Sequence, residues 1–365
     1  MNTISPTLTS FVNTPSMPPM VRTSIWKLLF GNLISAIFTL SCLALLTFLG
    51  PRFVNWAVID AVWYSADGSA CRNAGACWAF IYSKSRLILF GLYPPAEQWR
   101  PMLVVALFLI LGLISLPPRF WGRVLVLAWA VGFLTILILM GGGVFGLSEV
   151  PTSNWGGLPI TLLLATLSLV IAFPLSLVLA VGRRSSLPIP RYLSIGLIEV
   201  IRGTPLLSLL FVASILVPFF LPEGWTPDKL ARALIALTIF SAAYLAEVVR
   251  GGLQDVPQGQ IEAARALGLS WFVTTRRIVI PQALRKVVPP LTNTLIVMIK
   301  NTSLVFVVGL YDLLSAGRAA LADPAWSTPF VETYLFIGFI YFSICFAVSL
   351  YSRWLEVDLN LTRRI

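Results

Sequence analysis

Histidine is absent from this 365-residue chain, and charge is scarce, at 11% of residues. The first absence removes the commonest general base and metal ligand. The second, beside 58% hydrophobic residues and a mean hydropathy of +0.88, excludes a soluble protein, which could not bury so much apolar surface. No Lys follows a Gly, so the phosphate loop G-x-x-x-x-G-K-[ST] is missing, and any ATP must be bound by another chain. No metal-ligand cluster and no pair of acids lies in an apolar run. Gly141, Gly142 and Gly143 close one such run without a strand–helix context, which reads as a helix end or a close helix contact. A membrane-embedded enzyme finds no support here. Nor does a nucleic-acid binder: the net charge of +11 is not gathered on a basic face with interleaved aromatics.

Cysteine is sparse too. Cys42 and Cys345 sit in apolar runs as small hydrophobes. Cys71 and Cys77 lie in a polar loop with five residues between them. A local disulfide is expected if that loop faces an oxidising compartment, with free thiols as the alternative.

What the chain does have is apolar runs. Eight are candidate spans, near residues 28–50, 102–116, 124–144, 157–181, 205–221, 230–249, 287–310 and 330–351. The second is short and bounded by Pro101 and Pro117, so it is a thin span or a re-entrant piece. The fold expected is an all-α polytopic membrane protein with about 8 transmembrane helices. Residues 1–27 read as a disordered cytoplasmic tail and not as a cleaved signal peptide, because the first run is long enough to span. Residues 28–153 form an N-terminal extension of about three spans, with a loop at 51–101, and residues 154–365 form the main membrane unit.

The basic residues orient it. With the N-terminus inside, 17 of the 26 Lys and Arg fall in inside segments, and 5 of the 8 outside ones lie in the long loop, where the rule is weak. Both termini and residues 250–281 are then cytoplasmic, and Cys71 and Cys77 are outside. The loop 51–101 is too short for a core of its own, and its apolar stretches 53–64 and 78–82 could lie flat in the interface. Residues 192–201 read either as a helix lying in the inner interface or as an ordinary helix start, with Glu199 and Arg202 spaced to pair.

Between the sixth and seventh runs stands a stretch that is neither membrane-buried nor irregular. Residues 258–267 suit a short helix exposing Ala263, Ala264 and Leu267 as a small apolar knob. Gly268 permits a tight reversal, Ser270 is an N-cap, and Pro281 would end or kink a second helix over 271–280. Lys300 lies within the seventh run, where an ammonium must face protein or a water-filled path. Ser241, Tyr244 and Glu247 recur at spacings of three in the sixth run. Lys300 with Asn301 and Thr302, set against Glu247, could hold the carboxylate and ammonium of a zwitterion. Alternatively, Lys300 and Glu247 pair and lock two helices.

The motif Glu262-Ala263-Ala264, three residues, Gly268, nine residues, then Ile278-Val279-Ile280-Pro281 resembles the EAA loop of ABC-importer permease subunits, with Ile280 where Leu is more usual. Ile201-Arg202-Gly203-Thr204-Pro205, Ser241-Ala242-Ala243-Tyr244, Arg250-Gly251-Gly252 and Lys300-Asn301-Thr302-Ser303 look like the polar amino-acid branch, the one with histidine and glutamine importers. The N-terminal extension looks like the M-type subunit of general L-amino-acid importers. The resemblance implies a type I ABC-importer permease (MetI-like) in the bacterial inner membrane, with a cytoplasmic coupling helix. It implies a periplasmic amino-acid-binding protein, a second homologous permease and two ATPase subunits carrying ATP and Mg, with no cofactor in this chain. Glu262, Ala263, Ala264, Arg265 and Gly268 would be the surface on which the ATPase docks. An ion-coupled secondary transporter is the rival, though no inverted repeat is evident.

Overall fold

Apolar chain in a medium without water must satisfy its own backbone hydrogen bonds, which favours helices. A computed structural model describes residues 25–222 and 224–361 and is almost entirely helical. Of the expected tail, residues 1–24 lie outside the described residues, and 25–27 open a helix. The chain divides into two compact units, Met1–Ala61 and Val62–Ile365.

The first unit holds α1 (Ile25–Phe30) and α2 (Leu33–Val54), followed by a π-helical turn, Asn55–Ile59. Asn32 caps α2 by accepting the Ser35 N–H at 2.8 Å. No residue of α2 is buried, as suits a helix surrounded by lipid.

The second unit contains α3 (Trp78–Phe90), α4 (Trp99–Ser115), α5 (Arg123–Gly141), α6 (Gly157–Arg183), α7 (Pro188–Gly203), α8 (Leu206–Phe211) and α9 (Val217–Phe220). It continues with α10 (Lys229–Gln254), α11 (Gln258–Ala266), α12 (Trp271–Thr274), α13 (Ile280–Asn301), α14 (Leu313–Leu321) and α15 (Phe330–Leu361). All eight apolar runs are helical. Among the described residues, six stretches are long and apolar enough to cross a membrane, and α4, with 17 residues, is a shorter apolar helix at the second run. The fifth run is the outer limb of a broken pair, in which α7 meets the helix 206–220 at 105°. Pro205 explains the break, because it pushes the residue before it out of helical geometry, and Thr204 is extended at φ −102° and ψ 131°.

The core is built on α6 and α10, the most extensively packed helix pair. Along α6 the residues Ala165, Ser168, Ala172, Ser176 and Ala180 recur every three or four positions, and all are fully buried. On α10 the buried positions with the same spacing are Ala233, Ala236, Phe240, Ala243 and Ala246, four of them alanines. In a membrane, where burying apolar surface from lipid gains little, such small side chains let backbones approach closely. The serines close back onto their own helix, Ser176 donating to Phe173 O at 2.6 Å. Gly252 of α10 plays the same part against α13, since a Cβ there would stand 2.4 Å from Val287 Cγ2.

Segments that the charge tally assigns to one side meet in space. Gly156 and Gly157 bridge to Tyr311 and Asp312, Gly91 packs on Gly156, and Lys84 pairs with Asp323 at 2.5 Å. At the opposite end Lys286 reaches Asp255 at 3.3 Å, and Tyr351 donates to Ser115 O at 3.1 Å.

The loop 62–100 corrects one expectation. Residues 78–82 do not lie flat in the interface. They open α3, whose Phe80, Ile81 and Ile88 are buried with Leu313, Leu321, Trp326 and Ile337 of the segments around α14 and α15. The loop is too short for its own core but completes another. Cys71 and Cys77 are joined in a disulfide, and the buried Glu332 carboxylate accepts the Cys77 N–H at 2.8 Å. Two ionised carboxylates staple this end. Ser148's hydroxyl and Arg100 beside Glu97 hold its carboxyl below the usual range, and the hydrogen bond from Lys84 does the same to Asp323.

Candidate coupling helix and translocation path

Residues 250–281 form a helix and a capped turn at the junction of two membrane-length helices. After α10, Lys286 ties down Asp255 through its carboxylate and, at 2.8 Å, its carbonyl. The next helix, α11, ends at Leu267, where Gly268 takes φ +72°. The Gly268 N–H then bonds to Arg265 O at 2.9 Å and the Leu269 N–H to Ala264 O at 3.1 Å. This is the Schellman pattern, which needs a left-handed residue and favours glycine. Ser270 caps the next turn by accepting the Val273 N–H at 3.4 Å.

Two expectations are corrected here. Ala264 is not part of an exposed knob, because it is 1% exposed. With Ile261, three residues earlier, it forms the inward stripe of α11. Ile261 packs on a cluster of Val249, Leu253, Val256 and Val279. Glu262, Ala263, Arg265 and Leu267 face outward, Leu267 at 78% exposure. Nor does Pro281 end the second helix. A π-helical turn, Thr275–Val279, carries the Ile280 N–H to Thr275 O, and the widened turn lets the helix continue through Pro281 into α13.

Glu247 lies on α10 within a cluster of arginines. Arg183 approaches it at 2.8 Å, Arg250 at 3.0 Å and Arg202 at 3.8 Å, and Arg183 also pairs with Glu199 at 2.9 Å. The expected Glu199–Arg202 pair is thus replaced by one with Arg183, which the return of α7 onto α6 brings alongside. Arg202 also stands over Tyr244, 5.6 Å from the ring centroid. The cluster ties the ends of α6, α7 and α10 together. It went unread in the sequence, although an acid three residues before Arg250 was a visible signal.

Lys300 is the penultimate residue of α13, exposed, and outside any ion pair among the described residues. The helix loosens just beyond it into a 3-10 segment, Thr302–Val308, that ends at Gly309 with φ +80°. Thr302 is buried and donates to Ile299 O at 2.8 Å, while Asn301 is half-buried. Ser241 is buried and donates to Leu237 O at 2.6 Å and Met298 Sδ at 2.9 Å, whereas Tyr244 is partly exposed. The Ser241–Met298 and Gly252–Val287 contacts fix the antiparallel register of α10 and α13. In that register Glu247 stands about eight residues from the level of Lys300, about 12 Å along the axis. They therefore neither pair nor share one small ligand. The structure brings Ser241 and Lys300 to one level and assigns Glu247 to the arginine cluster.

A family model described as "Binding-protein-dependent transport system inner membrane component" matches residues 172–360, from the middle of α6 into α15. The chain belongs to that family. The inner membrane amino-acid ABC transporter permease protein YhdY of Escherichia coli (strain K12) is 43% identical to it over 94% of each chain. The glutamate/glutamine/aspartate/asparagine transport system permease protein BztC of Rhodobacter capsulatus is 32% identical, over 98% of this chain and 99% of its own. A crystal structure of an amino acid ABC transporter with histidines aligns at 34% identity and a TM-score of 0.49, over 57% of this chain and 92% of that one. A component of this family is a permease and not itself an enzyme, and its several apolar helices make it multi-pass in the inner membrane.

Proposed function

We propose that this permease forms half of the translocation path of an ATP-driven importer of L-amino acids and takes its drive through α11. The observation that carries the reading is α11 itself: a short helix with an outward Glu262–Ala263–Arg265–Leu267 face, locked by the Gly268 turn between two membrane helices. The small side chain of Ala263 on that face allows close approach, and Glu262 and Arg265 offer charge for a partner's groove. Two ATPase subunits holding ATP and Mg, a second homologous permease and a periplasmic amino-acid-binding protein complete the machine. Both termini and α11 are cytoplasmic in this reading, in keeping with the excess of Lys and Arg in the segments at that end. Residues 154–365 carry transport, and 28–153 extend them. Lys300, with Asn301, Thr302, Ser241 and Tyr244, lines the path where α13 breaks, while Glu247 holds the inner ends of three helices together.

The substrate class rests on the amino-acid permeases among the relatives. Vesicles containing the assembled complex and binding protein test both parts. Uptake of radiolabelled L-glutamine or L-glutamate should persist when the proton gradient is dissipated with ATP preserved. It should stop when ATP is withdrawn. Uptake that follows the gradient would refute the reading.

A further inference from the structure

The helix α7 is set across, not along, the membrane helices that flank it. It follows α6 after a short turn and meets the helix 206–220 at 105°, at the same end of the unit as α11. One stripe, Ser194 and Ile198 with half-buried Ile201, packs inward, and a Cβ at Gly182 would stand 2.3 Å from Ser194 Oγ. At about 3.6 residues per turn, Ile189, Leu193 and Val200 fall on the side away from that stripe, and all three are exposed. Of the two remaining flanks, one is apolar, with exposed Leu197. The other carries Arg191, Glu199 and Arg202 beside Tyr192. A helix with one polar flank and apolar surface on its other sides suits the boundary between headgroups and acyl chains.

The arginines at this end fall into two sets. Arg183, Arg202 and Arg250 are taken up by Glu199 and Glu247. Arg184, in the turn before α7, and Arg191, in its first turn, are exposed and make no ion pair among the described residues. Glu199 is the single acid in residues 182–204, and Arg183 already holds it at 2.9 Å. Two uncommitted cations therefore stand at the polar edge of an apolar face.

We infer that α7 binds anionic phospholipids of the leaflet on the α11 side, with Arg184 and Arg191 on the phosphates and Ile189, Leu193 and Val200 among the acyl chains. The guanidinium fork matches a phosphate, and the negative surface of an anionic leaflet draws basic side chains at this depth. Lipid is the occupant that the surroundings favour. The two helices that α7 joins also expose apolar side chains, Val178 and Phe211 among them, so its outward face lies between two lipid-facing helices.

The test places the full transporter in nanodiscs of phosphatidylcholine and phosphatidylglycerol. Cys42→Ala and Cys345→Ala remove the free thiols, and Leu193→Cys carries a bimane label. At equal mole fraction, nitroxide-bearing phosphatidylglycerol should quench the label about fivefold more effectively than nitroxide-bearing phosphatidylcholine, the preference that one arginine near a phosphate supplies. High salt should shrink that preference. The paired change Arg184→Gln with Arg191→Gln should abolish it, and Arg184→Lys with Arg191→Lys should keep it. Equal quenching by the two lipids would overturn the assignment. So would a label that neither lipid reaches, because protein would then cover this face. Should the glutamine pair fail to assemble, the lipid comparison and its salt dependence in the arginine-bearing complex still decide.

Discussion

Gly268 shows what one residue can decide in this chain. Its φ of +72° makes possible the two hydrogen bonds that stop α11, and nothing crowds the position where a Cβ would stand. Gly268→Ala should therefore cost backbone strain alone, about 1–2 kcal/mol, read as a lowered Tm of the solubilised chain with the fold retained. A Tm equal to that of the native chain would mean that the turn is not held as described. Lys300 is the second case. Exposed at a break in a membrane helix, it makes no ion pair among the described residues, so Lys300→Ala should assemble normally and abolish uptake. Full uptake would remove Lys300 from the path. The turn at Gly268 and the cap at Ser270 were legible in the sequence because each rests on a local backbone rule. The fate of Glu247 was legible only in its i,i+3 partner Arg250, because Arg183 and Arg202 come from other helices whose contacts only the folded chain sets.

Among the elements, the α6–α10–α13 packing depends on small side chains at fixed spacing. Gly252→Leu should overpack the contact with Val287 and Ala283 by about 1–3 kcal/mol, measurable as a Tm loss that Gly252→Ala shows in smaller degree. The elements at the other end depend on ionised carboxylates. Glu97 and Asp323 titrate below the ordinary carboxylate range, so their contribution is complete above about pH 4 and is lost only as pH falls through their lowered values. Thermal stability should thus be flat from neutral pH to about 5 and drop below about 4, and Asp323→Asn should weaken that acid step. The apolar runs fixed where helices would form. They did not show that α3 would fold back onto α14, because its buried residues Phe80, Ile81 and Ile88 match partners more than two hundred residues away. That the helix continues past Pro281 was illegible for a related reason: a π-helical turn precedes it, and no single-residue propensity announces that turn.

For the whole molecule, the fold reduces to a division of labour between two ends of one unit. Around α11 the chain offers a capped, charged and small-residue surface backed by the Arg183–Glu247 cluster, and at the far end a disulfide loop, α3 and α14 close over the core. In the proposed cycle α10 and α13 join the two ends, and a push on α11 would reach the break in α13 through them. The central claim is that this push arrives through the outward face of α11. The direct measurement is ATP-driven amino-acid uptake by the reconstituted complex carrying Glu262→Lys. That variant should reach the membrane and copurify with its partner permease, yet show neither uptake nor ATPase activity that responds to binding protein. Normal transport by the Glu262→Lys complex would contradict the account.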